Sequence, residues 1–61
     1  MMRFREIEKI ILADGWVYKT TKGSHNQYVH PDKPGKVTIP KHPGDLDPVT
    51  VRSILRQAGL N

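Results

Sequence analysis

The chain has no cysteine, no glycine-rich nucleotide loop, no internal repeat and no low-complexity tract. Without thiols there is neither a disulfide framework nor a thiolate metal site. No apolar run approaches the roughly 20 residues of a membrane span, and the first residues hold no signal-peptide apolar stretch. The expected setting is therefore soluble and cytoplasmic. Acidic residues are also few: six Asp+Glu stand against ten Lys+Arg, for a formal charge of +4. That balance fits a phosphate-rich partner, because Lys and Arg displace condensed counterions, and fits ordinary solubility equally well. At 36% hydrophobic, the 61 residues are lean. They have room for one domain, 1–61, with one small core and no second lobe to close over a substrate. Such a core must fold on patterning alone or lean on a partner.

What is present is well ordered along the chain. Residues 3–13 carry Phe4, Ile7 and Ile11 at i, i+3 and i+7, an apolar helical stripe that Ile10 widens. Asp14-Gly15 ends that helix, since glycine tolerates the left-handed conformation of a helix C-terminus. Residues 16–21 are rich in aromatic and β-branched types and predict a strand with Trp16, Tyr18 and Thr20 on one face. Lys22-Gly23-Ser24 supplies a turn into a second strand, 25–30. The run Pro31-Asp32-Lys33-Pro34-Gly35 breaks it, and residues 36–40 form a third, with Val37 and Ile39 facing the same way. After the loop 41–46, Asp47 caps a last helix with Pro48 at its first position. Val51, Ile54, Leu55 and Ala58 make its stripe, and Arg52 and Arg56 share a neighbouring face. The expected architecture is an α+β fold, α-β-β-β-α, with a three-stranded antiparallel meander and both helices on one face. The other face stays open.

Strand parity then picks out His25. If Tyr28 faces the helices, Asn26 and His30 go with it, and His25, Gln27 and Val29 face the open side. An accessible imidazole can exchange a proton near neutral pH. In metal-free RNA cleavage, a general base takes the 2′-hydroxyl proton as that oxygen attacks the adjacent phosphorus. Cations or N–H donors then stabilise the charge on the phosphorane. Lys19 and Lys22 lie just upstream, and the N–H groups of Gly23 and Ser24 are candidate anion donors. Ser24 as a nucleophile lacks a base and an orienting acid at recognisable spacing. His42 sits in a Pro/Gly loop that can lie beside the open face, as a second acid/base or phosphate-orienting group. Arg52 and Arg56 are either a solvated face or phosphate-backbone contacts. Trp16 is either core or a base-stacking platform. The three histidines, spaced by 5 and 12, match no recurrent zinc pattern, so neither a metal nor a cofactor is expected.

Taken in order, Gly15-Trp16, Lys22-Gly23-Ser24-His25 with Tyr28 three residues on, and His30-Pro31-Asp32 form one pattern. It continues through Val37-Thr38-Ile39-Pro40, His42 and the terminal run Arg52 to Gly59. The whole resembles the HicA toxins, mRNA interferases of HicAB toxin–antitoxin systems. The resemblance implies a double-stranded-RNA-binding-domain-like fold and an endoribonuclease that cleaves mRNA and arrests translation. It implies the histidine of Gly-Ser-His, here His25, as the catalytic residue. It also implies neutralisation by a HicB antitoxin, in a type II system that often forms hetero-oligomers. The competing readings are a non-catalytic RNA-binding module and a protein-docking domain.

Overall fold

Helix α1 (Phe4–Ala13) starts where the Glu6 carboxylate accepts the Arg3 backbone N–H at 2.9 Å, one half of a capping box. The computed structural model, which describes residues 2–61, follows it with β1 (Val17–Lys22), β2 (His25–Val29), β3 (Val37–Pro40) and α2 (Pro48–Gln57). Asp47 caps α2, its side chain accepting the Val49 N–H at 3.1 Å, with Pro48 inside the first turn. The strands form one antiparallel sheet in the order β1-β2-β3, so β2 is central. The expected α-β-β-β-α architecture is the one observed.

Both helices pack against β3. Ile7 and Ile11 from α1, Ile54 and Ala58 from α2, and Val37 and Ile39 from β3 are all buried, together with Tyr28 from β2. Each large apolar side chain removed from water contributes roughly 1.5–3 kcal/mol, which is why this short list dominates the stability of so small a chain. Leu46, within the loop before α2, is buried with them. It is held there by its N–H donating to the Met2 carbonyl at 2.8 Å. Two expectations need correction on α1 and β1. Ile10 is exposed rather than widening the core stripe, because only the Ile7–Ile11 ridge points at the sheet.

The second correction concerns β1. Its register against β2 runs Val17↔Val29, Tyr18↔Tyr28, then Thr20↔Gln27, Thr21↔Asn26 and Lys22↔His25. Two steps on β1 match one on β2, so Lys19 is the extra residue of a β-bulge. The bulge reverses the parity: Tyr18 lies on the helix side with Tyr28, and Thr20 on the open side with Gln27. Trp16 precedes the strand and is core, 2% exposed, which closes its reading as a stacking platform. Strand β1 therefore extends past the helical layer, and Tyr18 stays half exposed although it faces the helix side.

A second cluster ties the far end of the molecule. Trp16 meets the His30 ring edge-on with centroids 5.2 Å apart. His30 Nε2 donates to the Asp14 carbonyl at 2.8 Å, and its Nδ1 accepts the Asp32 N–H at 2.9 Å. Lys33 Nζ bonds Asp14 Oδ2 at 2.6 Å and the Ala58 carbonyl at 3.0 Å. One ammonium thus joins the end of α1, the 31–36 loop and the C-terminal end of α2, where a cation suits the helix dipole.

Candidate active site

The hairpin between β1 and β2 is a two-residue turn. Gly23 has φ +59° and Ser24 a negative φ, the pattern of a type II′ turn with glycine at its first central position. The closing pair is Lys22↔His25. Paired residues share a face, with Cβ atoms roughly 4.5–5.5 Å apart, so the Lys22 ammonium stem and the His25 imidazole rise together from the open side. Both are exposed. On its other flank His25 pairs with Pro40, the last residue of β3. The chain then turns back toward the hairpin, the Lys41 N–H donating to the Ser24 carbonyl at 2.6 Å. Lys22, Gly23, Ser24, His25, Lys41 and His42 consequently gather at one end of the sheet. The N–H groups of Gly23 and Ser24 lie outside the β1–β2 ladder.

Beneath His25, on the opposite face of β2, a polar chain anchors the strand. Asn26 is 6% exposed, the one polar side chain among the buried residues described. Its Oδ1 accepts from Thr21 Oγ1 at 2.8 Å, and its Nδ2 donates to the Tyr28 hydroxyl at 3.2 Å. That hydroxyl donates in turn to Glu8 Oε2 of α1 at 2.5 Å. At the outer end, Tyr18 and Thr21 share a hydroxyl–hydroxyl bond of 2.7 Å. A buried amide left without these partners would cost about 1–3 kcal/mol, so the chain holds the backbone on either side of His25 in one register. Burial, followed by the bond to the Glu8 carboxylate, pushes the Tyr28 phenol well above its ordinary range, keeping it a donor.

The remaining histidines differ in what their rings can do. In His30 the Asp14 carbonyl can only accept and the Asp32 N–H can only donate, so both ring nitrogens are engaged. It is a structural residue. His42 is exposed, and its Nδ1 donates to the Pro43 carbonyl at 2.8 Å, leaving Nε2 as the open nitrogen. Among the described residues no group of three His, Cys, Asp or Glu is placed to hold a metal ion.

The other candidate cations stand elsewhere. Lys19 occupies the bulge three residues before Lys22, roughly 10 Å along the strand from the pair with His25. Arg52 and Arg56 lie on the exposed face of α2, in the helical layer rather than on the open face. Sequence reasoning overlooked Lys41 and the Glu8–Tyr28–Asn26 chain. Lys41 follows β3 directly, and the expected meander already brings the end of β3 beside the start of β2. Glu8 stands next to Ile7 at the edge of the α1 stripe, a position from which a carboxylate can reach into the core boundary.

These features define a small α-β-β-β-α protein that presents a histidine and a lysine together on an uncovered sheet face. A family model described as the HicA toxin of bacterial toxin–antitoxin systems matches residues 4–60, nearly the whole chain. The chain belongs to the HicA toxin family, and with it to the toxin side of a toxin–antitoxin pair. A search of curated proteins finds no match.

Proposed function

We propose that this toxin is a cytoplasmic endoribonuclease that cleaves mRNA, arrests translation and is neutralised by a HicB-type antitoxin. Family membership and the pairing of exposed His25 with Lys22 at a tight glycine turn carry this reading. RNA brings its own nucleophile. His25 accepts the 2′-hydroxyl proton as the 2′ oxygen bonds to phosphorus. The P–O5′ bond then breaks, leaving a 2′,3′-cyclic phosphate and a 5′-hydroxyl that takes up a proton from water or from His42. The Lys22 ammonium and the free turn N–H groups of Gly23 and Ser24 face the charge that grows on the phosphoryl oxygens. Preorganised donors of this kind contribute a few kcal/mol in the transition state. No step in this scheme calls for a bound metal.

The test is direct. Purified protein, with chelator present, is given a defined RNA of some tens of nucleotides, and the products are resolved by length and end group. The parent should yield shorter fragments bearing cyclic phosphate ends. His25→Ala should slow cleavage by roughly 10²–10⁴-fold, the usual worth of a general acid–base group. That variant should retain its circular dichroism spectrum, because the exposed ring supports no core contact. Cleavage by His25→Ala at the parental rate would remove His25 from the chemistry. RNA binding by the parent without any cleavage would identify a non-catalytic RNA-binding module instead.

A further inference from the structure

The end of the sheet that carries His25 does not stop at His42. Residues 41–44 form one wall of an open cleft of about 570 Å³ whose other wall is the start of α1, Arg3 to Glu6. The two walls are tied together by the Arg3↔Asp45 bridge and by the Leu46 N–H bonded to the Met2 carbonyl at 2.8 Å. Arg3, Arg5 and Lys41 supply cations around the cleft. The Glu6 carboxylate is occupied by the Arg3 backbone N–H at 2.9 Å, and Asp45 stands 3.9 Å from Arg3 Nε. Phe4 and Pro43 give the cleft its apolar lining, with Phe4 half-buried against the core.

From this juxtaposition we infer that the cleft is a binding subsite for a ribonucleotide of the substrate strand, one flanking the phosphate held at His25. The inference rests on the ribonuclease reading and extends it to residues outside the hairpin. An aromatic ring beside an apolar ledge suits the face of a base, and flexible cations at the rim suit its phosphates. The occupant is a nucleic acid strand for two reasons. The net charge at the rim is positive, with Arg3, Arg5 and Lys41 against the Glu6 and Asp45 carboxylates, and the cleft is continuous with the His25 end through Lys41 and His42. Arg5 and Lys41 hold the strand's phosphates, Phe4 stacks on the base, and the His42 ring lies on the path between the subsite and the reacting phosphate.

Binding is measured by fluorescence anisotropy with a labelled 12-nucleotide single-stranded RNA, in the His25→Ala background so that the probe stays intact. Arg5→Gln with Lys41→Gln should weaken binding by 5- to 30-fold at low salt. It should also make the slope of log K against log[salt] shallower by about 1.4, since each single-strand phosphate contact contributes about 0.7. Arg5→Lys should restore most of the loss attributable to Arg5, which a merely structural role would not explain. Phe4→Leu, which keeps an apolar side chain against the core, should cost a further 5-fold or more. Circular dichroism of each variant separates lost binding from lost folding. If the His25→Ala parent binds RNA while the double variant matches it in affinity and salt slope, the subsite is refuted and the ribonuclease reading stands. If the parent neither binds nor cleaves RNA, both fall together.

Discussion

Gly15 offers the sharpest test of the packing argument, because its neighbourhood is tight on two independent counts. Its φ is +106°, where an L side chain is strained, and a Cβ built there would stand 2.7 Å from His30 Nε2. Ordinary contact with carbon needs about 3.5 Å, so the ring must retreat by roughly 0.8 Å. That movement breaks the 2.8 Å bond from Nε2 to the Asp14 carbonyl and disturbs the edge-on contact with Trp16. Backbone strain of about 1–3 kcal/mol adds to a hydrogen bond of about 1 kcal/mol and to part of an aromatic contact worth about 0.5–1.5 kcal/mol. Gly15→Ala should therefore destabilise by on the order of 2–5 kcal/mol. The whole chain, at roughly 0.05–0.15 kcal/mol per residue, holds only about 3–9 kcal/mol.

Urea and thermal unfolding of purified protein measure this, with Gly23→Ala as the control. Gly23 also has positive φ, +59°, but nothing lies within 4 Å of an added Cβ, so only the backbone contributes, about 1–2 kcal/mol. At about 4–8 °C per kcal/mol, the Gly15 variant should melt at least ~8 °C below the parent. In Gly15→Ala/His30→Ala the overlap is gone, so the double variant should be more stable than the sum of the singles by about 1 kcal/mol or more. Strict additivity, or a Gly15→Ala effect no larger than that of Gly23→Ala, would refute the argument.

Further predictions follow from the charged and hydroxyl groups. Tyr28→Phe removes a donor to a carboxylate and an acceptor for a buried amide, and should lower stability by about 1–2 kcal/mol in urea titration. The folded-state pKa of the phenol is raised above its ordinary 10.0, so its contribution is complete below pH 10 and is lost as pH climbs beyond it. The parent should weaken more steeply in that alkaline range than Tyr28→Phe, and parallel curves would contradict the assignment. Asp14 behaves in the opposite sense. Its bond to Lys33 holds the carboxyl below the ordinary 3.8, against a smaller opposing effect of burial. Its contribution is present above that value and disappears as pH falls through the lowered one. Lys33→Met should therefore flatten the acid limb of the stability curve as pH falls through and below the ordinary carboxylate range, measured as the shift in urea midpoint.

Much of this protein can be read from local chemistry. The spacing of Ile7 and Ile11, and of Ile54 and Ala58, dictates two amphipathic helices. Asp47-Pro48 marks the start of the second. Gly23 selects the hairpin, and the alternation around Tyr28 puts His25 on the open face and Asn26 beneath it. These follow from periodicity and backbone sterics, which act over a few residues. The bulge at Lys19 does not, because it is a relation between two strands: only pairing against Gln27 and Tyr28 shows that β1 carries one residue too many. Leu46 looks like a loop residue until the Met2 carbonyl draws it into the core. The gathering of Lys22, Lys41 and His42 around His25, and the cleft that joins residues 41–44 to Arg3–Glu6, span separations that no local pattern encodes. Tertiary hydrogen bonds, Lys41 to Ser24 and Leu46 to Met2, set them. The lack of cysteine and the scarcity of acidic residues turned attention to histidine and basic side chains. Chain folding decided which of them meet.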